Sequence, residues 1–387
     1  MKILDVAEFY SERGGGVRAY LTQLSREGTR RGHAVLVVAP GPRDELSEGG
    51  PGRLLRLRGP SLPYDPTYHL LWNVRAVARA VAREQPDVLE ASSPYVAAWV
   101  ATRTRGVAVR SLVLHSDFID TYARPVLRRA LGDRGAERAL SPAWAYLRGL
   151  CSRVDLTVVS GAWLADKLRA RGIPRVECVP FGIHREALGP HRRDPALRRE
   201  LLGPLAGDPG ARLLVVAGRL AVEKRVSAVL QALEGLRRER PCAVLVLGDG
   251  PERARLEGRF PWARFEGFVT DRARYGALLA SGDALVHGCP HETFGFVVGE
   301  ALASGVPVVV PDQGGAAEFA TPGCAEKYAP DAPLVACAVA TRRLLDRPPG
   351  EASRAALEAS AGIPSSDDHF DKLFAMYGRY LEARRAA

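Results

Sequence analysis

The chain has 387 residues, 47% apolar and 25% charged, with 54 Lys and Arg against 44 Asp and Glu, a net charge of +10. That is too much chain for one core, so two domains are expected; no apolar run approaches the ~20 residues that span a bilayer, and Met1-Lys-Ile-Leu-Asp-Val6 enters a strand without a signal-peptide pattern, so a cytoplasmic protein is expected. The six cysteines, at 151, 178, 242, 289, 324 and 337, form no Cys-x-x-Cys pair, which argues for free thiols and against a structural metal.

In chain order, Ile3 to Phe9 reads as a buried strand, Val17 to Gly32 as a helix and Ala34 to Ala39 as a second strand; short apolar strands follow at 87–91, 111–115 and 156–160, separated by helical patterns. This alternation predicts a doubly wound parallel sheet. A polar stretch, Gly189-Pro-His-Arg-Arg-Asp-Pro195, precedes a restart of the rhythm at 213–217, then 243–247, 264–268, 284–287 and 306–310. The domains are therefore placed at 1–186 and 187–364. The last segment, 365–387, is an amphipathic helix with Phe370, Leu373, Tyr377 and Leu381 at three- and four-residue spacing, expected to cross back onto the first domain.

Charge divides unevenly. Residues 1–190 hold 28 Lys and Arg against 19 Asp and Glu, while the remainder is nearly balanced at 26 against 25. The stripe Arg124, Arg128, Arg129, Arg134 and Arg138, with Arg75, Arg79 and Arg83 on another predicted helix, suits either an anionic membrane surface or an ordinary Arg-rich face, and no motif points to nucleic acid.

In open parallel sheets ligands bind beyond the carboxyl ends of the strands, so the informative residues lie in the loops that follow them. After the first strand comes Ser11-Glu-Arg-Gly-Gly-Gly-Val17, where glycines let the backbone approach a phosphate or sugar; it is not a Gly-x-Gly-x-x-Gly fingerprint. His115 ends its strand in His-Ser-Asp-Phe-Ile-Asp120 and is expected to project into a cleft between the domains. After the 213–217 strand, Gly218-Arg-Leu-Ala-Val-Glu-Lys224 offers Arg219 and Lys224, a fork and a point charge suited to a diphosphate. Gly248-Asp-Gly-Pro251 is a tight turn or part of a base pocket.

The sharpest stretch is Glu292-Thr-Phe-Gly-Phe-Val-Val-Gly-Glu300. Gly295 breaks helical periodicity, so Glu292 falls in a loop, and Phe296 to Ser304 reads as a helix closed by Gly305 with Glu300 on its second turn. The unpartnered amides of that first turn suit an anion, and the flanking carboxylates suit hydroxyls. On spacing alone, a solvated Glu292 and an N-terminal helix charge at Glu300 are the preferred reading.

Gly14-Gly-Gly16, His115, Gly218-Arg219 with Glu223-Lys224, Gly248-Asp-Gly-Pro251, the Glu292-to-Glu300 motif, and Gly305-Val-Pro-Val-Val with Gly314-Gly315 together resemble the retaining glycosyltransferases of family 4, over nearly the whole chain. The resemblance implies the GT-B fold: two Rossmann-like α/β domains facing across a cleft, the acceptor on the first and the nucleotide sugar mainly on the second. It assigns Arg219 and Lys224, beside Gly218, to the diphosphate, Glu300 to the ribose hydroxyls and Glu292 to the transferred sugar. Thr293 and the backbone of Phe294, Gly295 and Phe296 would hold phosphate or sugar, and Gly15 and Gly16 would approach from the facing domain. His115 would sit by the sugar ring, and Gly248 with Phe268 and Val269 would line the base. This chain has Cys289 and Thr293 where members often have Ser and Gly, which leaves the hydrogen bonding near Cys289 open.

The implied reaction is direct hexosyl transfer with retention from GDP-mannose or a UDP-hexose to a hydroxyl of a lipid-linked, glycolipid or saccharide acceptor. It needs no metal and no cofactor beyond the nucleotide sugar; the absence of Asp-x-Asp agrees. A glycoside phosphorylase or sugar-nucleotide epimerase on the same fold, or a silent sugar-nucleotide-binding protein, are the alternatives. Peripheral contact with the inner membrane face is expected from the basic first domain.

Overall fold

A computed structural model describes residues 1–11, 16–48, 50, 52–62 and 65–386. The chain forms two compact units, Met1–Pro180 with Asp367–Ala387, and Phe181–Ser366. Residues 181–186, expected with the first domain, belong to the second unit. The Phe181 ring stacks on Phe296 at 5.3 Å, Ile183 bridges to Ser365, and Arg185 Nη2 donates to the carbonyls of Ser360 and Ile363.

The first unit is built on an eight-stranded sheet running Val176–Cys178, Leu156–Val159, Val109–Leu114, Val88–Ala91, Lys2–Val6, Ala34–Gly41, Arg53–Arg58, Glu45–Ser47. All pairings are parallel except the last. Strand order reverses between Lys2–Val6 and Val88–Ala91, because the chain first moves one way from the opening strand and then returns to its other side. Both neighbours are fully covered, which is why the strands read as apolar runs. The exceptions are two acids in the middle of them, Asp5 and Glu90, both 0% exposed.

The helix Ser366–Ala386 completes this unit. It buries Phe370, Leu373, Tyr377 and Leu381, the stripe legible in the sequence, and Phe374 with them. Its N-terminal end is also tied down by charge: Arg31 Nε donates to Asp371 Oδ1 at 2.7 Å and Arg30 Nη2 to Asp367 Oδ1 at 2.9 Å.

The second unit holds a six-stranded parallel sheet in the order Arg264–Gly267, Cys242–Leu247, Arg212–Ala217, Ala284–Val286, Val308–Pro311, Ala325–Tyr328. Its reversal falls between Arg212–Ala217 and Ala284–Val286. The loops leaving those two strands carry Arg219 with Lys224 and Cys289 with Glu292, so the fold itself delivers both predicted motifs to one switch point.

Candidate functional site

At the end of Arg212–Ala217 the chain turns at Gly218, whose φ of 138° disfavours a side chain. Three loops are stitched together here. Gly218 N donates to Leu247 O and Leu220 N to Asp249 O, both at 2.9 Å, and Gly248 N donates to Gly267 O at 2.8 Å. A Cβ at Gly248 would lie 2.0 Å from Gly218 O, and one at Gly250 2.4 Å from Leu220 O. The glycines of Gly248-Asp-Gly-Pro251 are thus demanded by backbone contact with the neighbouring loop. Arg219 and Phe268 project from this edge exposed, Phe268 at 73%, with Val269 half-buried.

Lys224 closes the short Val222–Lys224 turn, and its Nζ donates to Glu292 Oε1 at 2.6 Å. Burial alone would raise the Glu292 carboxyl, but Lys224, and His287 beside it, outweigh burial and hold it well below the usual carboxylate range. Burial would likewise lower Lys224, and the facing carboxylate reverses that and pushes it up. Both groups are therefore ionised at neutral pH. His287 Nε2 lies 3.4 Å from the same Glu292 oxygen without hydrogen-bond geometry, so it contributes as a nearby polar ring. The Cys289 thiol, 2% exposed, is pushed up to about 12 by burial and by Glu292.

The Glu292 loop is clamped from behind. Gly315 N donates to Glu292 O at 2.6 Å, and a Cβ at Gly314 would meet Pro290 O at 2.7 Å, which gives the Gly314-Gly315 pair its reason. Thr293 is buried, and Phe294 packs edge-on against Phe181, Phe296 and Phe319. Gly295, at φ 91°, then opens the helix Phe296–Ala303. The amides of Val298 and Gly299 return to Gly295 O, and those of the residues before them stand ahead of the intrahelical ladder. A helix start, a lysine and a carboxylate thus follow two adjacent strands at one edge of the sheet, and that set can bind an anion beside a polyol.

Glu300 has partners of its own. Its Oε1 accepts from Arg272 Nη2 at 2.9 Å and its Oε2 from Tyr275 OH at 2.7 Å. The phenol of Tyr275 is raised well above its ordinary value, first by burial and then by Glu300. The two acids of the motif are consequently held by different side chains, and each oxygen of Glu300 retains further acceptor capacity. Sequence reasoning missed Arg272, Tyr275 and His287. His287 ends its strand as His115 does and could have been found by the same rule; the other two reach Glu300 from a separate helix and carry no local signal.

In the first unit, Gly15 lies outside the described residues. Gly16 opens the helix Gly16–Arg30, and nothing stands within 4 Å of where its Cβ would be. His115 follows the Val109–Leu114 strand, with Nε2 3.1 Å from Ser92 Oγ and its ring edge-on to Tyr20 at 4.8 Å. Burial, with His369 nearby, brings it down to about 4, so the ring is neutral. The basic stripe is partly neutralised: Arg124 pairs with Asp120 and Glu137, and Arg128 with Asp133. Arg129, Arg134 and Arg138 stay exposed, as do Val126 and Leu131. Among the described residues no helix is long and apolar enough to cross a membrane.

Residues 14–187 match the model of Glycosyltransferase Family 4, and 211–347 that of Glycosyl transferases group 1. The chain is 32% identical over 338 residues to a GDP-mannose-dependent alpha-mannosyltransferase of Mycobacterium tuberculosis, covering 83% of this chain and 82% of that one. It is 31% identical over 315 residues to a GDP-mannose-dependent alpha-(1-6)-phosphatidylinositol dimannoside mannosyltransferase of the same species, covering 80% and 79%. Among solved structures, sucrose-phosphate synthase from Thermosynechococcus elongatus superposes with a TM-score of 0.77 at 18% identity, covering 99% of both chains. HepE of Anabaena in complex with UDP and glucose gives 0.68 at 17%, covering 98% of this chain and all of that one. These likenesses show the fold, that of the GT-B glycosyltransferases.

Proposed function

We propose that this chain, which belongs to glycosyltransferase family 4 and transfers a glycosyl group from a nucleotide sugar, uses GDP-mannose as its donor and retains the anomeric configuration. The observation that carries the site is the Lys224–Glu292 pair at the switch point of the second unit. In this reading an arriving diphosphate draws Lys224 from the carboxylate and engages Arg219 and the amides at the start of Phe296–Ala303. Glu292, released from its lysine, accepts from hydroxyls of the transferred sugar. Glu300, oriented by Arg272 and Tyr275, accepts from the ribose.

The chemistry needs charge stabilisation more than a base. As the bond from anomeric carbon to phosphate oxygen breaks, the leaving diphosphate gains negative charge, which Arg219, Lys224 and the helix start are placed to stabilise. The acceptor oxygen forms the new bond on the same face, and its proton passes to a donor phosphate oxygen. No metal is assigned a role. The GDP-mannose preference rests on the relatives named above, whose sequences align over about four-fifths of the chain.

For the acceptor we propose a lipid-linked or glycolipid hydroxyl, with the first unit resting on an anionic membrane surface. Arg129, Arg134 and Arg138 beside exposed Val126 and Leu131 supply charge and apolar contact together. Co-sedimentation with phosphatidylglycerol vesicles at low salt checks this, and no binding would remove it. A thermal-shift comparison of GDP, UDP and ADP tests the donor, since a ligand of the native state raises its apparent stability. Stabilisation by UDP and not by GDP would replace GDP-mannose with a UDP-hexose. Transfer unchanged by both Lys224→Ala and Glu292→Ala would overturn the site.

A further inference from the structure

One buried polar atom beside the Lys224–Glu292 pair has no part in the reaction as proposed: His287 Nε2. His287 follows the strand Ala284–Val286 and is 5% exposed, and its Nε2 makes no hydrogen bond although it is shut off from solvent. The residue is pinned through its backbone on both sides. Its N donates to Val309 O, and its carbonyl accepts from Tyr328 OH, each at 2.8 Å. The next residue, Gly288, packs directly onto the Lys224 loop, since a Cβ there would lie 2.7 Å from Lys224 O. Glu292 is pinned likewise, by Gly315 N on its carbonyl.

With both backbones held, the 3.4 Å between His287 Nε2 and Glu292 Oε1 shortens only by rotation of the two side chains. A change of about half an ångström brings the pair into hydrogen-bond range. In the structure that oxygen is already taken by Lys224 Nζ at 2.6 Å. An imidazole lone pair turned toward an ionised carboxylate would be repelled, so the ring presents an N–H at Nε2, whether neutral or charged. An N–H buried without an acceptor costs free energy, and this one is satisfied only in a state where Oε1 turns to it.

We propose that His287 is a positioning residue that takes over Glu292 Oε1 when a diphosphate draws Lys224 away, so that the carboxylate stays ionised and keeps Oε2 for a hydroxyl of the transferred sugar. The exchange on donor binding rests on the functional reading above; the capacity of His287 to replace Lys224 at Oε1 does not. Without the ring, a Glu292 deserted by its lysine would take up a proton or swing after the cation, and either would deprive the hydroxyl of its acceptor. His287 therefore serves the sugar half of the donor and not the nucleotide.

The test compares His287→Ala with His287→Gln, whose amide can set an N–H near the place of Nε2. With GDP-mannose, His287→Ala should lower kcat about tenfold while GDP affinity, read by calorimetry, stays within about twofold of wild type, and His287→Gln should restore kcat to within about threefold. An unchanged kcat in His287→Ala, a His287→Gln variant as slow as His287→Ala, or a GDP affinity that falls as far as kcat would overturn the proposal. The replacement itself is read without substrate, from unfolding temperatures. Loss of the ring should cost about 2 °C more in Lys224→Met, where His287 has taken the place of the lysine, than in the wild type, and the excess should vanish when Glu292→Leu is added. Equal shifts in the wild-type and Lys224→Met backgrounds would overturn it. If His287→Ala does not fold, His287→Phe, which fills the space of the ring without a donor, stands in for it in both measurements. If GDP-mannose is not turned over by the wild type, the donor reading fails while the unfolding temperatures decide the replacement.

Discussion

Replacing Lys224 with Met keeps the length of the side chain and removes its charge from Glu292 Oε1, 2.6 Å away. Two unit charges near contact distance interact by about 4 kcal/mol at an effective dielectric of ~20. The two side chains are 26% and 18% exposed, so water screens part of this, and the lysine no longer has to be desolvated. The net cost should be about 2 kcal/mol, a fall of roughly 4–8 °C in the unfolding temperature of a unit this size. Lys224→Met with Glu292→Leu removes both charges and should recover more than half of that loss. Differential scanning calorimetry on the four members of the cycle gives the coupling energy directly. The sign with pH is also fixed. Glu292 is depressed in the folded chain, so its contribution is present above the unfolded value near 4.5 and is lost as pH falls through the lower folded value. In Lys224→Met the stranded acid takes up a proton more readily, so the penalty should be largest at pH 7 and shrink toward pH 4. A coupling below about 0.3 kcal/mol at pH 7, or a penalty independent of pH, would refute the pairing.

Gly248→Ala should destabilise by about 3 kcal/mol or more in urea unfolding, because its Cβ would fall 2.0 Å from a backbone oxygen at φ 129°; Gly235→Ala, in open space at an exposed position of the helix Val226–Leu236, should stabilise by about 0.5–1 kcal/mol. Tyr275→Phe leaves Glu300 with Arg272 alone and should raise the KM for the nucleotide sugar several-fold with little change in kcat, read from initial rates. The Cys289 thiol should resist a disulfide reagent at pH 8 in the folded chain, with half-buried Cys178 labelled first, as mass spectrometry of the digest would show.

What could be read from the sequence follows from what strands hide. Parallel strands covered on both faces are apolar runs, so 213–217 or 284–287 announced themselves, and the loops behind them pointed to Arg219, Lys224 and Glu292. Arg53-Leu-Leu-Arg-Leu-Arg58 did not, because it lies toward the sheet margin and its arginines reach Glu48, Glu84, Glu45 and Ser47. Three-residue Val176–Cys178 and polar Ala325-Glu-Lys-Tyr328 were too short or too charged to stand out. The expected split at 186 fell at 180 since the contacts of Phe181 and Arg185 are with residues more than a hundred positions away. For the site, local pattern found the groups that face a strand edge. It could not find Arg272 or Tyr275, or the meeting of Asp5 with Glu90, which only strand register creates.

The helix that carries Tyr377 closes the first unit but leaves the ribosome after the whole of Phe181–Ser366. At about 5–20 residues per second, the opening sheet waits roughly 10–40 s for its final element, with Glu90 short of one of its two phenolic donors and the surface that Phe370 and Phe374 later cover left open. Vectorial synthesis therefore finishes the second unit before the first. A chain cut short before Asp367 would therefore leave the first unit, and not the second, without its last element.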